Sequence, residues 1–135
     1  MLRVRAIHVS AVKSLHLTPV EEAAIGADGV EHDRRFMLVD SAGRVATQRQ
    51  VPVLAQVWSS YDAEADVLEL RLPGGGIVRE VPAAVDRTSV ELWGRDVPAS
   101  VMNGPFAEAM SALAGRPSLP RLSERISPRW TIRSA

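Results

Sequence analysis

The sequence contains no cysteine among its 135 residues. This absence excludes disulfide bonds, a thiolate nucleophile and a metal site with cysteine ligands. The formal net charge is zero, so the chain as a whole has no electrostatic field that would attract nucleic acid or an anionic membrane. Any site for an anion must therefore be local.

Long apolar runs are also missing. The N-terminal stretch MLRVRAIHVSAVKS interrupts its apolar residues with Arg3, Arg5 and His8, unlike the continuous apolar centre of a signal peptide. No later segment approaches the ~18 consecutive apolar residues of a membrane-spanning helix. These features predict a cytoplasmic protein.

The composition is that of an ordinary globular protein. Hydrophobic residues make up 46% of the chain and charged residues 24%, and the length corresponds to one domain. From Arg116 onward the sequence holds five arginines, one glutamate and three prolines, with no clear period. This part predicts a poorly ordered or docked end.

Short segments typical of strands recur about every ten residues, a spacing that indicates a barrel or a sandwich. The clearest is a hairpin, in which RFMLVD and RVATQRQ flank the turn SAG and Gly43 takes a left-handed position. The other predicted strands are RVRAIHVS, VLAQVWSS, VLELRL, GIVREVP, SVELWG and RDVPASV. We expect Trp58 and Trp93 in the core of a mainly β, single small barrel-like domain with one or two short helices.

One segment has the pattern of a helix, at residues 104–114. Pro105 suits its first turn and Gly115 can end it. One face of this helix would carry Phe106, Met110 and Leu113. The earlier segment HLTPVEEAAIG is compatible with a helix that Thr18 would cap and equally with a strand.

Arginines lie at both ends of the predicted hairpin. Arg34 and Arg35 should point to opposite faces, and an inward arginine needs a partner, either Asp33 or a bound anion. Because a hairpin brings its outer ends together, we expect Arg49 close to Arg34 or Arg35. Clustered guanidinium groups require acids or an anion between them, and they grip oxyanions through paired hydrogen bonds.

Lys13 is the only lysine in the chain, and Ser14 follows it. The pair can contact a phosphate as a point charge and a neutral donor, or Lys13 can be a solvated surface amine. Signals for catalysis are weak, because the three histidines lack metal-ligand spacing and no GxSxG motif is present. A free-standing enzyme is therefore the least favoured function.

Together these segments resemble the N-terminal β-barrel domain of MOSC proteins, a group that includes the mitochondrial amidoxime reducing component and the C-terminal region of molybdenum cofactor sulfurases. The matching segments are SAVKSLHL at 10–17, EHDRRFMLVDSAGRVATQRQVPVLA at 31–55, VELWG at 90–94 and FAEAMSALAGRP at 106–117. The resemblance predicts a domain at residues 1–117 and an Arg/Pro-rich tail at 118–135.

The resemblance implies a site for the molybdenum cofactor, a pterin dithiolene that carries a phosphate. The positions that the motifs assign to the pterin and its phosphate are Lys13, Ser14 and Arg34, and those assigned to the same cleft are Thr47, Gln48, Arg49 and Gln50. In the family this cleft lies between two domains.

The family's metal-ligating cysteine belongs to a C-terminal MOSC domain, and this sequence has no cysteine. The resemblance therefore implies a cofactor-binding module that needs a MOSC-domain protein in trans for catalysis. The alternative is a structural barrel that has lost the cofactor and binds a protein partner through its faces or its tail. A stand-alone domain, a truncation and one half of a split protein all remain open.

Overall fold

The computed structural model describes residues 1–27, 29–40, 42–102 and 105–115, and the backbone of 121–125. The strands are β1 (Ile7–Val9), β2 (Thr18–Val20), β3 (Ile25–Gly26), β4 (Gly29–Val30), β5 (Phe36–Val39), β6 (Trp58–Asp62), β7 (Val67–Arg71), β8 (Ile77–Glu80), β9 (Ala84–Leu92), β10 (Arg95–Met102) and β11 (Arg121–Arg125). The helices are a 3₁₀-helix at Pro52–Gln56 and α1 at Phe106–Ala114. The mainly β fold predicted from the sequence is confirmed.

The strands pair antiparallel in four groups. A four-stranded sheet has the order β5-β11-β10-β9 and a three-stranded sheet the order β6-β7-β8. The other pairs of strands within the described residues are two small ribbons, β1-β2 and β3-β4. Connections between neighbouring strands of the two larger sheets include the hairpins β6-β7, β7-β8 and β9-β10.

The core lies between these sheets and α1, and β5 is at its centre. All four residues of β5 are buried, so its sequence FMLV is continuously apolar rather than alternating. One face of β5 joins the larger cluster of buried residues with Phe36 and Leu38. The other face joins a second cluster through Met37 and Val39.

The turn after β5 forms as predicted, but the second strand of the predicted hairpin is shorter than the segment RVATQRQ. The Asp40 backbone N–H donates to the Arg44 carbonyl at 2.8 Å, and Gly43 has a φ of 80°. Val45 makes a single bridge to Val39, and the chain turns away from residue 47 onward. The apolar residues on either side of the polar TQRQ segment, Ala46 and Val51, are buried, whereas residues 48–50 are exposed.

The predicted strand VLAQVWSS is half wrong. Its first part is the 3₁₀-helix, since Pro52 has no N–H to give to a strand ladder and its ring fixes φ at a helical value. β6 begins only at Trp58. For HLTPVEEAAIG the strand alternative is correct, as β2 and β3.

Both tryptophans expected in the core are exposed, so that expectation is wrong. Trp58 is 41% exposed and stacks on His16, because the alternation of β6 turns Ser59 inward instead. Trp93 is 86% exposed, because it occupies the turn between β9 and β10 rather than a strand. Trp130 lies outside the described residues.

The predicted helix is confirmed as α1. Phe106 and Met110 are both 0% exposed, and Gly115 ends the helix with a left-handed φ of 65°. A left-handed residue at this position suits glycine because a Cβ would be strained there. Asn103 and Gly104, either of which could cap this helix by residue type, lie outside the described residues.

Part of the predicted tail at 118–135 is a strand. β11 pairs antiparallel with β10 on one side and with β5 on the other. These five residues therefore satisfy backbone groups of two core strands, which is the docked alternative for this segment. The rest of the tail lies outside the described residues. The predicted division at residue 117 falls between α1 and β11, and β11 belongs to the four-stranded sheet.

Shortening the chain tests the contribution of β11. A chain that ends at Gly115 leaves the backbone groups of β5 and β10 that face β11 without partners. Its melting temperature should fall by roughly 5 °C or more. A chain that ends at Arg125 keeps every described strand pair and is the control. Equal melting temperatures for the two chains would show that β11 does not stabilise the domain.

Candidate functional site

The loop that carries Lys13 and Ser14 is held between two buried residues. Val12 is 0% exposed and Leu15 is 1% exposed, whereas the two residues between them are half-buried. Ser14 has a φ of 71°, in the left-handed region that non-glycine residues rarely occupy. Because Val12 and Leu15 are buried, they fix both ends of a strained turn from which the side chains of Lys13 and Ser14 point outward.

Backbone hydrogen bonds attach this loop to the start of β5. The Arg34 N–H donates to the Ser10 carbonyl at 2.6 Å, and the Phe36 N–H donates to the Ala11 carbonyl at 2.9 Å. The Lys13 N–H donates to the Phe36 carbonyl at 2.8 Å. The segments VKS and DRR are thus fixed side by side.

Arg34 is paired with Asp33, the simpler of the two partners expected from the sequence. Its Nη1 contacts Asp33 Oδ2, and the other carboxylate oxygen accepts the Ser10 N–H at 2.8 Å. The Asp33 side chain is 16% exposed and that of Arg34 is 53% exposed. The carboxylate is therefore the fixed member of the pair, and it orients the guanidinium.

Arg35 contacts other residues than Arg34 does. The sequence predicted that the two side chains point to opposite faces of a strand, but β5 begins only at Phe36. Arg35 Cζ lies 4.9 Å from the centre of the Tyr61 ring, and its Nη1 lies 3.2 Å from His32 Nδ1. It lines a separate cleft, on the side of β3 and β4. Arg35 is thus the natural control for experiments on Arg34.

The TQRQ segment forms a tight turn. The backbone N–H groups of Gln50 and Val51 donate to the Thr47 carbonyl at 3.1 and 3.0 Å. The Thr47 N–H donates to the side-chain oxygen of Gln50 at 3.2 Å. Gln48 and Arg49 are exposed at the top of this turn.

The two loops face one cleft of about 560 Å³. Its lining residues are Lys13, Ser14, Arg44, Val45, Thr47, Gln48, Arg49, Gln50, Glu91, Leu92 and Trp93. Of the positions predicted for cofactor contact, Arg34 alone is absent from this lining. The structure thus brings the VKS and TQRQ segments together around one space.

Lys13 is a half-buried cation in the lining of the cleft. Burial lowers the pKa of its ammonium below the ordinary value for lysine, and the nearby positive charge of Arg34 lowers this pKa further. The Arg34 side chain is not part of the described lining, but it is close enough to Lys13 to lower this pKa. A bound anion would stabilise the ammonium form and raise this pKa.

Sequence reasoning missed the side of the cleft that β9 supplies. Glu91 and Trp93 reach it because the end of β9 is bonded to the turn after β5, with the Glu91 N–H donating to the Gly43 carbonyl at 3.0 Å. The Trp93–Gly94 dipeptide between two strands was the available signal, since glycine there indicates a turn rather than a core position.

The described residues contain no group of three or more His, Cys, Asp or Glu side chains that could hold a metal ion. Within the same residues, no helix is long and apolar enough to span a membrane.

A known protein family matches most of the chain. The family model of the MOSC N-terminal beta barrel domain matches residues 1–117. This chain belongs to that family. The MOSC N-terminal domain is also similar to a protein of Bordetella bronchiseptica with a known solution structure, at 21% identity, with a TM-score of 0.50, over 78% of this chain and 89% of that chain. This second likeness concerns the fold alone. No curated protein sequence matches the chain.

The pKa of Lys13 is directly measurable, because a single lysine gives a single ¹³Cε resonance. Arg34→Gln should raise this pKa, since it removes one of its two causes, but burial should keep the pKa below the ordinary value. Added phosphate should also raise it in the parent protein. Arg79→Gln, an exposed change on β8 away from the cleft, should leave it unchanged. An identical titration in Arg34→Gln and the parent would show that Arg34 does not act on Lys13.

Proposed function

We propose that this MOSC N-terminal domain forms one half of a site for the molybdenum cofactor and holds its pterin phosphate. A MOSC domain acting in trans would supply the other half, including the thiolate ligand of the metal. The observation that supports this proposal is the convergence of the VKS and TQRQ segments on one cleft.

The donors in the cleft suit a phosphate monoester. Lys13 supplies a compact positive charge, and Arg49 supplies a planar fork that can contact two oxygens. Ser14 and Thr47 add hydroxyl donors, and Gln48 adds an amide donor. This combination neutralises an anion and satisfies its oxygens without a metal.

Arg34 adds a second positive charge beside Lys13. Its pairing with Asp33 uses only part of a guanidinium that has five N–H donors, so the group can contact an anion as well. Burial and, as the smaller cause, repulsion by Arg34 lower the pKa of Lys13, and an anion near both groups would offset this repulsion. The proximity of these two positive groups therefore supports the proposal of an anion site in this cleft.

When bound, the cofactor would supply the redox chemistry of molybdenum, and the residues of this domain would bind and orient it. The chain has no cysteine to ligate the metal. We therefore assign this domain to cofactor binding and not to catalysis by itself.

The alternative of a barrel that has lost the cofactor and binds a protein through its faces or its arginine-rich tail stays a prediction. Arg121–Arg125 is paired on both sides within the sheet. The backbone of this part of the tail therefore cannot pair with a strand of a partner.

Phosphate binding should depend on Arg34 and not on Arg35. Phosphate should raise the melting temperature of the parent protein in a concentration-dependent way, because it binds only the folded state. Arg34→Lys should weaken binding about tenfold, because it keeps the charge but loses the planar fork. Arg35→Lys should leave the phosphate-dependent rise unchanged, because Arg35 lines another cleft. Equal responses from the two variants would contradict a role for Arg34 in the anion site.

Co-expression tests the whole proposal. The domain is produced in a host that makes the cofactor, with and without a MOSC-domain protein, and bound pterin and molybdenum are measured after purification. We expect pterin to co-purify with the parent protein and to be lost in Lys13→Gln, while Arg79→Gln retains it. Absence of pterin from the parent protein both with and without the partner would contradict the proposal.

A further inference from the structure

Trp93 occupies a position that is unfavourable for a large side chain. It is the first residue of the two-residue turn between β9 and β10, in which Leu92 pairs with Arg95. Its φ is 52° and that of Gly94 is 75°, so both turn residues are left-handed, as in a type I′ turn. Asparagine, aspartate and glycine are the residues that such positions favour, because a bulky side chain is strained there.

Burial does not compensate for this strain, because Trp93 is 86% exposed. Its indole nevertheless has a defined place at the rim of the cleft, where it lines the same space as Lys13 and Arg49. Lys13 Nζ lies 5.2 Å from the ring centre, within the range of a cation–π contact. The structure therefore presents an open aromatic face beside a group of anion-binding side chains.

Two further contacts hold this tip in place. The Glu91 N–H donates to the Gly43 carbonyl at 3.0 Å, and the Val45 N–H donates to the Glu91 carbonyl at 3.4 Å. The end of β9 is thus attached to the segment that leads into the TQRQ turn. These backbone bonds fix the turn that carries Trp93 relative to the anion-binding loops.

We infer that Trp93 is a stacking residue that gives the cleft selectivity for a planar heteroaromatic ring carrying a phosphate, over a phosphate without such a ring. This inference rests on the proposed function of the same cleft. The phosphate would take the ammonium of Lys13, and the ring of the ligand would lie against the exposed indole face. Stacking of one heteroaromatic ring on an aromatic side chain strengthens binding by about tenfold or more.

The test compares two phosphate monoesters, a pterin monophosphate and ribose 5-phosphate, by titration calorimetry. The parent domain should bind the pterin compound about tenfold more tightly. Trp93→Asn should bind both compounds with the affinity that the parent has for ribose 5-phosphate. Because asparagine suits a left-handed turn position, this variant should fold with an unchanged or higher melting temperature. Trp93→Phe should keep most of the selectivity.

Trp58→Phe is the matched control, since Trp58 is the other exposed tryptophan of the described chain and lines a different cleft. It should leave both affinities unchanged. If Trp93→Asn keeps the preference for the pterin compound, or weakens both ligands equally, the inference is wrong while the phosphate site stands. If the parent protein binds neither compound, the proposed function itself is wrong.

Discussion

The cleft depends on the hydrogen bonds that fix two polar loops to β5. On one side, residues 10–13 are bonded to residues 34–36, with a parallel bridge between Val12 and Phe36. Further along β5, the Ala46 N–H donates to the Leu38 carbonyl at 2.8 Å, and the TQRQ turn follows directly. Because β5 is buried on both faces, these attachments cannot move without disturbing the core. The positions of Lys13 and Arg49 in one cleft follow from this single strand.

Left-handed backbone conformations at non-glycine residues occur repeatedly around this site. Ser14, Arg34 and Trp93 have φ values of 71°, 50° and 52°. Such conformations cost on the order of 1 kcal/mol or more each and persist where neighbouring structure holds them. Here the neighbouring structure is the pair of buried anchors around the first loop, the bond between Arg34 and Ser10, and the β9-β10 ladder. These three residues are among those to which we assign ligand contacts, whereas His32 and Asp66 have positive φ values without such a role.

Charge in the molecule is local rather than global. The net charge is zero, yet Lys13 and Arg34 are close enough for one to lower the pKa of the other. Asp33 pairs with Arg34 and is itself fixed by the Ser10 N–H, whereas Glu91 is the acidic residue in the cleft lining. A phosphate in the cleft would offset the positive charges of Lys13 and Arg34.

The sequence by itself determined the features that depend on near neighbours. The mainly β pattern, the turn at Gly43 and the helix that ends at Gly115 follow from local periodicity and from the conformations that glycine permits. The VKS and TQRQ motifs predicted six of the eleven residues that line the cleft, and the DRR motif predicted Arg34 beside it.

Only the tertiary structure decided which distant segments meet. The place of β11 between β5 and β10 depends on backbone pairing, which leaves no periodic signal in a sequence such as RLSER. Trp58 was expected inside because of its residue type, but the phase of its strand turned it outward. Glu91 and Trp93 entered the cleft because β9 is bonded to the turn after β5. Contacts of this kind join residues more than twenty positions apart, and local sequence patterns carry no information about them.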